Sequence, residues 1–188
     1  MTPRVEAGQL RIVLSWPDGP KDLDIHAFFK ISRLSSCEIY FGERECIGTS
    51  LETDNLLGGK KGVESLYIHD LGNYFYTFAV HYNFDKLNET TSDGNENPTH
   101  DVPKFTSFTN SKARLSVYTS ELKTPLLQVF VPSFEEKNLI EPGSDELSYT
   151  WWTALCLDGS QGIPSLMQVN KLGIQQPTSE YCQSLYSS

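Results

Sequence analysis

Apolar and polar residues alternate along most of the chain, and alternation marks strands with one buried face. Leu10, Ile12, Leu14 and Trp16 fall on one face of a first strand, and the turn Trp16-Pro17-Asp18-Gly19-Pro20 ends it. Leu23, Ile25, Ala27 and Phe29 share one face of a second strand, with Asp22, Asp24, His26 and Phe28 on the other. Cys37, Ile39 and Phe41 mark a third strand, Ile47 to Thr53 a fourth and Val63 to Ile68 a fifth. Asn73 to Asn83 is a sixth, rich in the aromatic and β-branched types that suit a pleated surface. Its residues Tyr74, Tyr76, Phe78, Val80 and Tyr82 share the expected core face, opposite Phe75, Thr77, Ala79 and His81. Ala113 to Tyr118, Leu126 to Val131 and Tyr149 to Leu157 continue the series, and Ser165 to Leu172 adds a short strand.

About nine or ten modest strands with turn signals between them, and almost no helical periodicity, predict an all-β fold: a two-sheet β-sandwich or a jelly roll. One domain over residues 9–172 is expected, with tails at 1–8 and 173–188. Two polar stretches, 84–104 and 133–146, read as long loops inserted in it. The polar tail after Pro177 reads as loose.

Charge narrows the function classes. Lys and Arg number 15 against 24 Asp and Glu, a formal net charge of -9. An acidic chain lacks the basic face that nucleic acids and anionic membranes require. No apolar run reaches the roughly 18–20 residues of a membrane span. Part of the acidity lies in the two loops, at Asp85, Asp93 and Glu96 and at Glu135 and Glu136. Polar loops on a rigid sandwich are candidate contacts for a protein partner. Cys37, Cys46, Cys156 and Cys182 include no C-x-x-C pair, so a zinc ribbon is excluded. With no secretion leader in view they read as reduced thiols of a cytoplasmic protein. A Cys37–Cys46 bridge across a hairpin turning at Gly42 is the alternative, and it would accompany an extracellular or envelope location.

Several motifs together resemble one family. The order RIVLSWPDGPKDLDIHAFF (11–29), LETDNLLGGKKGVESLYI (51–68), NYFYTFAVHYN (73–83), ARLSVYT (113–119) and WWTALCLDGSQG (151–162) is similar to the YfaP-like family of uncharacterised domains. The family usually has Gly-Pro-Glu where this chain has Gly62-Val63-Glu64. The resemblance implies a β-sandwich of immunoglobulin-like character and carries no established activity. It also implies that the Asp54-Asn55 and Glu64 segments lie near the D-L-D-I-H strand.

That placement gathers one group with chemical potential. Asp22, Asp24, Asp54, Asn55 and Glu64 are oxygen donors of the kind that calcium takes in sets of about six to eight. The competing reading is structural: Asp22 caps a turn, Asp24 pairs with His26 in a buried network, and His81 ends a neighbouring strand. Catalytic signatures are missing: no G-x-S-x-G elbow, H-E-x-x-H or P-loop is present. Trp151 and Trp152 point to opposite faces, one into the core and the other, expected at Trp152, towards a partner. The expected function is a non-enzymatic structural or binding module working through protein–protein contacts, in a larger assembly. The alternative is a calcium- or carbohydrate-binding module.

Overall fold

A computed structural model describes residues 9–17, 20, 22–55, 62–83, 108–119, 123–133, 149–160 and 164–187. The chain folds as an all-β sandwich of two antiparallel sheets. The strands are β1 (Leu10–Trp16), β2 (Leu23–Ser32), β3 (Ser35–Ile39), β4 (Glu45–Cys46), β5 (Thr49–Thr53), β6 (Gly62–Ile68), β7 (Phe75–Tyr82), β8 (Arg114–Thr119), β9 (Leu127–Phe130), β10 (Trp151–Asp158) and β11 (Ser165–Gly173). A six-stranded sheet runs β4-β5-β6-β1-β8-β9, and a five-stranded sheet runs β11-β10-β7-β2-β3. Ten of these strands lie where alternation predicts them. The two-residue β4 is too short to carry a period, and Phe41 lies in the turn after β3 rather than in a strand.

The core forms where the apolar faces of the two sheets meet. Leu10, Ile12, Leu14 and Trp16 of β1 face Leu23, Ile25, Ala27 and Phe29 of β2 and Tyr76, Phe78, Val80 and Tyr82 of β7 within one cluster. Trp152 is fully buried in it and donates its indole N–H to Asn170 Oδ1 at 2.9 Å. That corrects the expectation of a partner contact at Trp152: of the tryptophan pair, it is the inward one. Trp16 closes one end of the core, its indole N–H held by the Pro20 carbonyl at 2.9 Å. Gly62 packs flat on that indole, and a Cβ there would come within 1.9 Å of the ring.

Two findings depart from the sequence reading. All four cysteines are bridged, as Cys37–Cys46 and Cys156–Cys182, with Cα separations of 6.1 Å and 5.4 Å that suit a disulfide. The expected hairpin does turn at Gly42, through paired backbone bonds between Tyr40 and Glu43. Its arms enter different sheets, so Cys37–Cys46 ties one sheet to the other. The second departure is the tail. Residues 174–187 are not loose: they cross the outer face of the five-stranded sheet and end in helix α1 (Tyr181–Tyr186), which packs on β7 and β10. The segment is held by Gln176 to Glu38 at 3.1 Å, by the Lys30–Glu180 ion pair, by Cys182 N–H to Thr77 Oγ1 at 3.3 Å, and by the disulfide to Cys156. The tail reads as polar because only Pro177 and Cys182 of this stretch are buried.

Candidate functional site

The site begins with an unfinished strand edge. β3 pairs with β2 only from Ala27 onward, where Ala27 faces Ile39. The Leu23–His26 half of β2 therefore has β7 on one side and no strand on the other among the described residues. A buried backbone N–H at such an edge needs an acceptor. Glu64 supplies it. β6 places Glu64 opposite Leu14 of β1, on the inward face, and its Oε2 accepts from Ile25 N–H at 2.8 Å. Its Oε1 accepts from Asn55 N–H at 3.2 Å, just past the end of β5. One carboxylate thus joins three segments.

Asp22 and Asp24, two residues apart at the start of β2, share one face of the chain beside this anchor. Asp22, Asp24 and Glu64 are only 2%, 2% and 1% exposed. Each offers an oxygen, and these oxygens all lie within 4.8 Å of one another. Asp54 adds a fourth carboxyl close enough to act on Glu64 electrostatically. Its side chain is 7% exposed, with Oδ2 3.8 Å from Arg44 Nη1 and with Oδ1 buried and lacking any hydrogen-bond partner. Asn55 meets the group through its backbone N–H.

Concentrated negative charge in a poorly solvated place raises the cost of ionisation. Burial is the main reason that the Glu64 carboxyl is pushed up to about 8. The two backbone N–H bonds oppose the rise, and the charges of Asp24 and Asp54 add to it. The group is therefore rich in hard oxygen donors.

His26 does not join it. His26 Nδ1 lies 3.1 Å from Glu38 Oε1, so its ion-pair partner is Glu38 and not the expected Asp24. Hydrogen bonding to His26 is the main cause that lowers the Glu38 carboxyl below its ordinary value. The imidazole stacks between Phe28 and Tyr40 and meets Trp151 edge-on at 4.9 Å. His81 stacks on the same Trp151 at 4.5 Å. His26 and His81 thus belong to an aromatic layer on the outer face of the five-stranded sheet, His26 buried and His81 partly so. Asp85, Asp93, Glu96, Glu135 and Glu136 lie outside the described residues.

Sequence reasoning missed Glu38, whose only signal was an acidic residue opposite Phe28 in a strand pair. It also gave no weight to Arg44, a turn residue. Compared with family models, curated proteins and solved structures, the chain matches none.

Proposed function

We propose that this protein is a non-enzymatic β-sandwich binding module that takes a hard divalent cation, calcium by its chemistry, where β2 meets β6. The observation that carries the reading is the trio Asp22, Asp24 and Glu64, buried and with donor oxygens within 4.8 Å. Like charges so close in a low-dielectric place repel strongly, and a bound cation removes that repulsion. All-oxygen ligation favours calcium or magnesium over zinc or copper. Calcium's need for about six to eight oxygens suits carboxylates that bind through both oxygens, together with carbonyls and water. The buried, unpartnered Oδ1 of Asp54 is a further donor beside the trio.

Two other expectations gain support in this reading. Asp22-Leu23-Asp24-Ile25-His26, Thr53-Asp54-Asn55 and Gly62-Val63-Glu64 meet at one place, as membership of a YfaP-like family would require. The two disulfides favour an extracellular or envelope compartment over the cytoplasm, because such bridges persist where the surroundings are oxidising. They also occupy every thiol nucleophile, which suits a binder better than a hydrolase. A protein partner remains part of the proposal, through the loops at 84–104 and 133–146.

Isothermal titration of the EDTA-stripped protein with calcium chloride tests the cation site, with the melting temperature followed in parallel. Binding heat and a melting rise are expected, both lost in Asp24→Asn. Calcium at 100 times its Kd would add about 2.7 kcal/mol to stability. No heat and no melting shift at millimolar calcium would overturn the reading and leave Glu64 as a purely structural clamp.

A further inference from the structure

The outer face of the six-stranded sheet carries a second site of opposite charge. Register aligns Val63 of β6, Ser15 of β1, Arg114 of β8 and Phe130 of β9 in a single row across four strands. With Trp16 and Lys112 they line an open depression of about 320 Å³. Among the described residues no carboxylate lines it, in a chain of net charge -9. Phe130, on the edge strand β9, and Val63 of β6, at its two ends, are 56% and 42% exposed.

Among the described residues no counter-ion meets the cations of this depression. Arg11, on the same sheet face, shows the ordinary arrangement: its guanidinium sits 2.9 Å from Glu52 and 3.1 Å from the Ser65 hydroxyl. Arg114 has only a long bond to Ser15 Oγ at 3.4 Å, and its Nε, like that of Arg11, is buried with no hydrogen-bond partner. Among the described residues neither Arg114 nor Lys112 is in an ion pair. A guanidinium with unfilled donors favours a planar, two-oxygen anion. Lys112, which directly follows the short 3-10 helix Phe108–Ser111, has a left-handed backbone, φ 52°, uncommon for a residue other than glycine.

We infer that this depression binds a small organic carboxylate with an aromatic or aliphatic body. The carboxylate meets Arg114 and Lys112, and the body lies against Phe130 and Val63. The volume fits the lower end of the range for small-molecule sites. Neither the cation proposed at Asp22, Asp24 and Glu64 nor any residue of that group takes part.

Chemical-shift titration of the isotope-labelled full chain with benzoate tests the inference, with neutral benzamide as the isosteric control. EDTA is present throughout, so that no calcium ion can bridge a carboxylate to the acidic group. Benzoate is expected to saturate in the millimolar range, moving the amides of Ser15, Val63 and Arg114, and benzamide to bind about tenfold more weakly. Arg114→Gln should abolish saturation. Lys112→Asn removes an exposed charge at a backbone conformation that asparagine tolerates, and should weaken benzoate several-fold at an unchanged melting temperature. Equal affinity for benzamide, shifts confined to other surfaces, or unchanged benzoate affinity in folded Lys112→Asn would each overturn it.

Discussion

Strands β1 and β2 carry the same kind of alternation and meet different fates. In β1 every second residue is buried and the intervening ones are partly open. In β2 the first seven residues are all buried, the polar ones included. The difference lies in what covers the far side. The outer face of the six-stranded sheet is open and carries charged side chains such as Arg11 and Arg114. On the outer face of the five-stranded sheet, residues 174–187 and α1 pack across Glu38, Lys30, Thr77 and Cys156, and His26, Phe28, Thr77, Ala79 and Trp151 of that face are buried. Period two reports that a strand has two unlike faces, and a third layer leaves that period intact.

The largest test of this contrast is truncation on the two outer faces. Phe28→Ala empties a buried place between His26 and Trp151 and should cost about 3–5 kcal/mol in urea denaturation. Val13→Ala, outward on β1 and only partly buried, should cost about 1 kcal/mol or less. Equal costs would mean that the third layer contributes no packing. Next in size is the Cys156–Cys182 bridge, which closes 26 residues of sequence. The double serine variant should lose about 3 kcal/mol. Hydrogen exchange in that variant should quicken at the backbone amide of position 182, which bonds to Thr77, while amides of β1 keep their protection. Uniform quickening of both sheets would break the distinction.

Most of the sandwich was legible, because core residues such as Ile12, Leu14, Ile25 and Phe78 repeat every second position and hydrophobic burial dictates that repeat. The site was legible as a set of residue types: Asp22, Asp24 and Glu64 do meet. What was not legible is each element whose position depends on contacts distant in sequence. Trp151 and Trp152 are indistinguishable as neighbours, and only the register of β10 against β7 decides that Trp152 points inward. The tail from Ile174 to Ser187 has too few apolar residues to announce burial, and one cysteine bonded to β10 settles its place. His26 was expected beside Asp24 because both share a face of β2. The stacked rings of Phe28 and Tyr40 turn it towards Glu38 instead.

A pH series sharpens the comparison on the acidic side. Glu64 has an ordinary value of 4.5 and is pushed up to about 8 in the fold. Between these values the native state retains a proton that the unfolded chain has released. Stability of the cation-free protein should therefore fall as pH rises from about 4.5 to about 8, by on the order of a few kcal/mol. Melting temperatures measured in EDTA across that window should decline, and Glu64→Gln should flatten the decline. A variant with the full slope would place the effect in other groups. Glu38, lowered by its bond to His26, acts with the opposite sign and at lower pH: its contribution is lost as acidity increases.

The smallest effect belongs to the open face. Glu52 is 39% exposed and pairs with Arg11 at 2.9 Å, in contact with water and salt. Exposed pairs of this kind contribute about 0.2–1 kcal/mol, and screening weakens them further. Glu52→Gln should therefore lower stability by less than about 1 kcal/mol, and the loss should shrink in 1 M sodium chloride. Glu38→Gln is its counterpart under the third layer. There Glu38 is 35% exposed, but its partner, His26, is 6% exposed on its side chain and stacked between rings, so salt reaches the pair from the Glu38 side alone. Denaturation at low and high salt should show a larger salt response in the loss for Glu52→Gln than in the loss for Glu38→Gln. If both losses respond to salt alike, the covering segment does not exclude solvent from the outer face of the five-stranded sheet, and the contrast between the two faces fails.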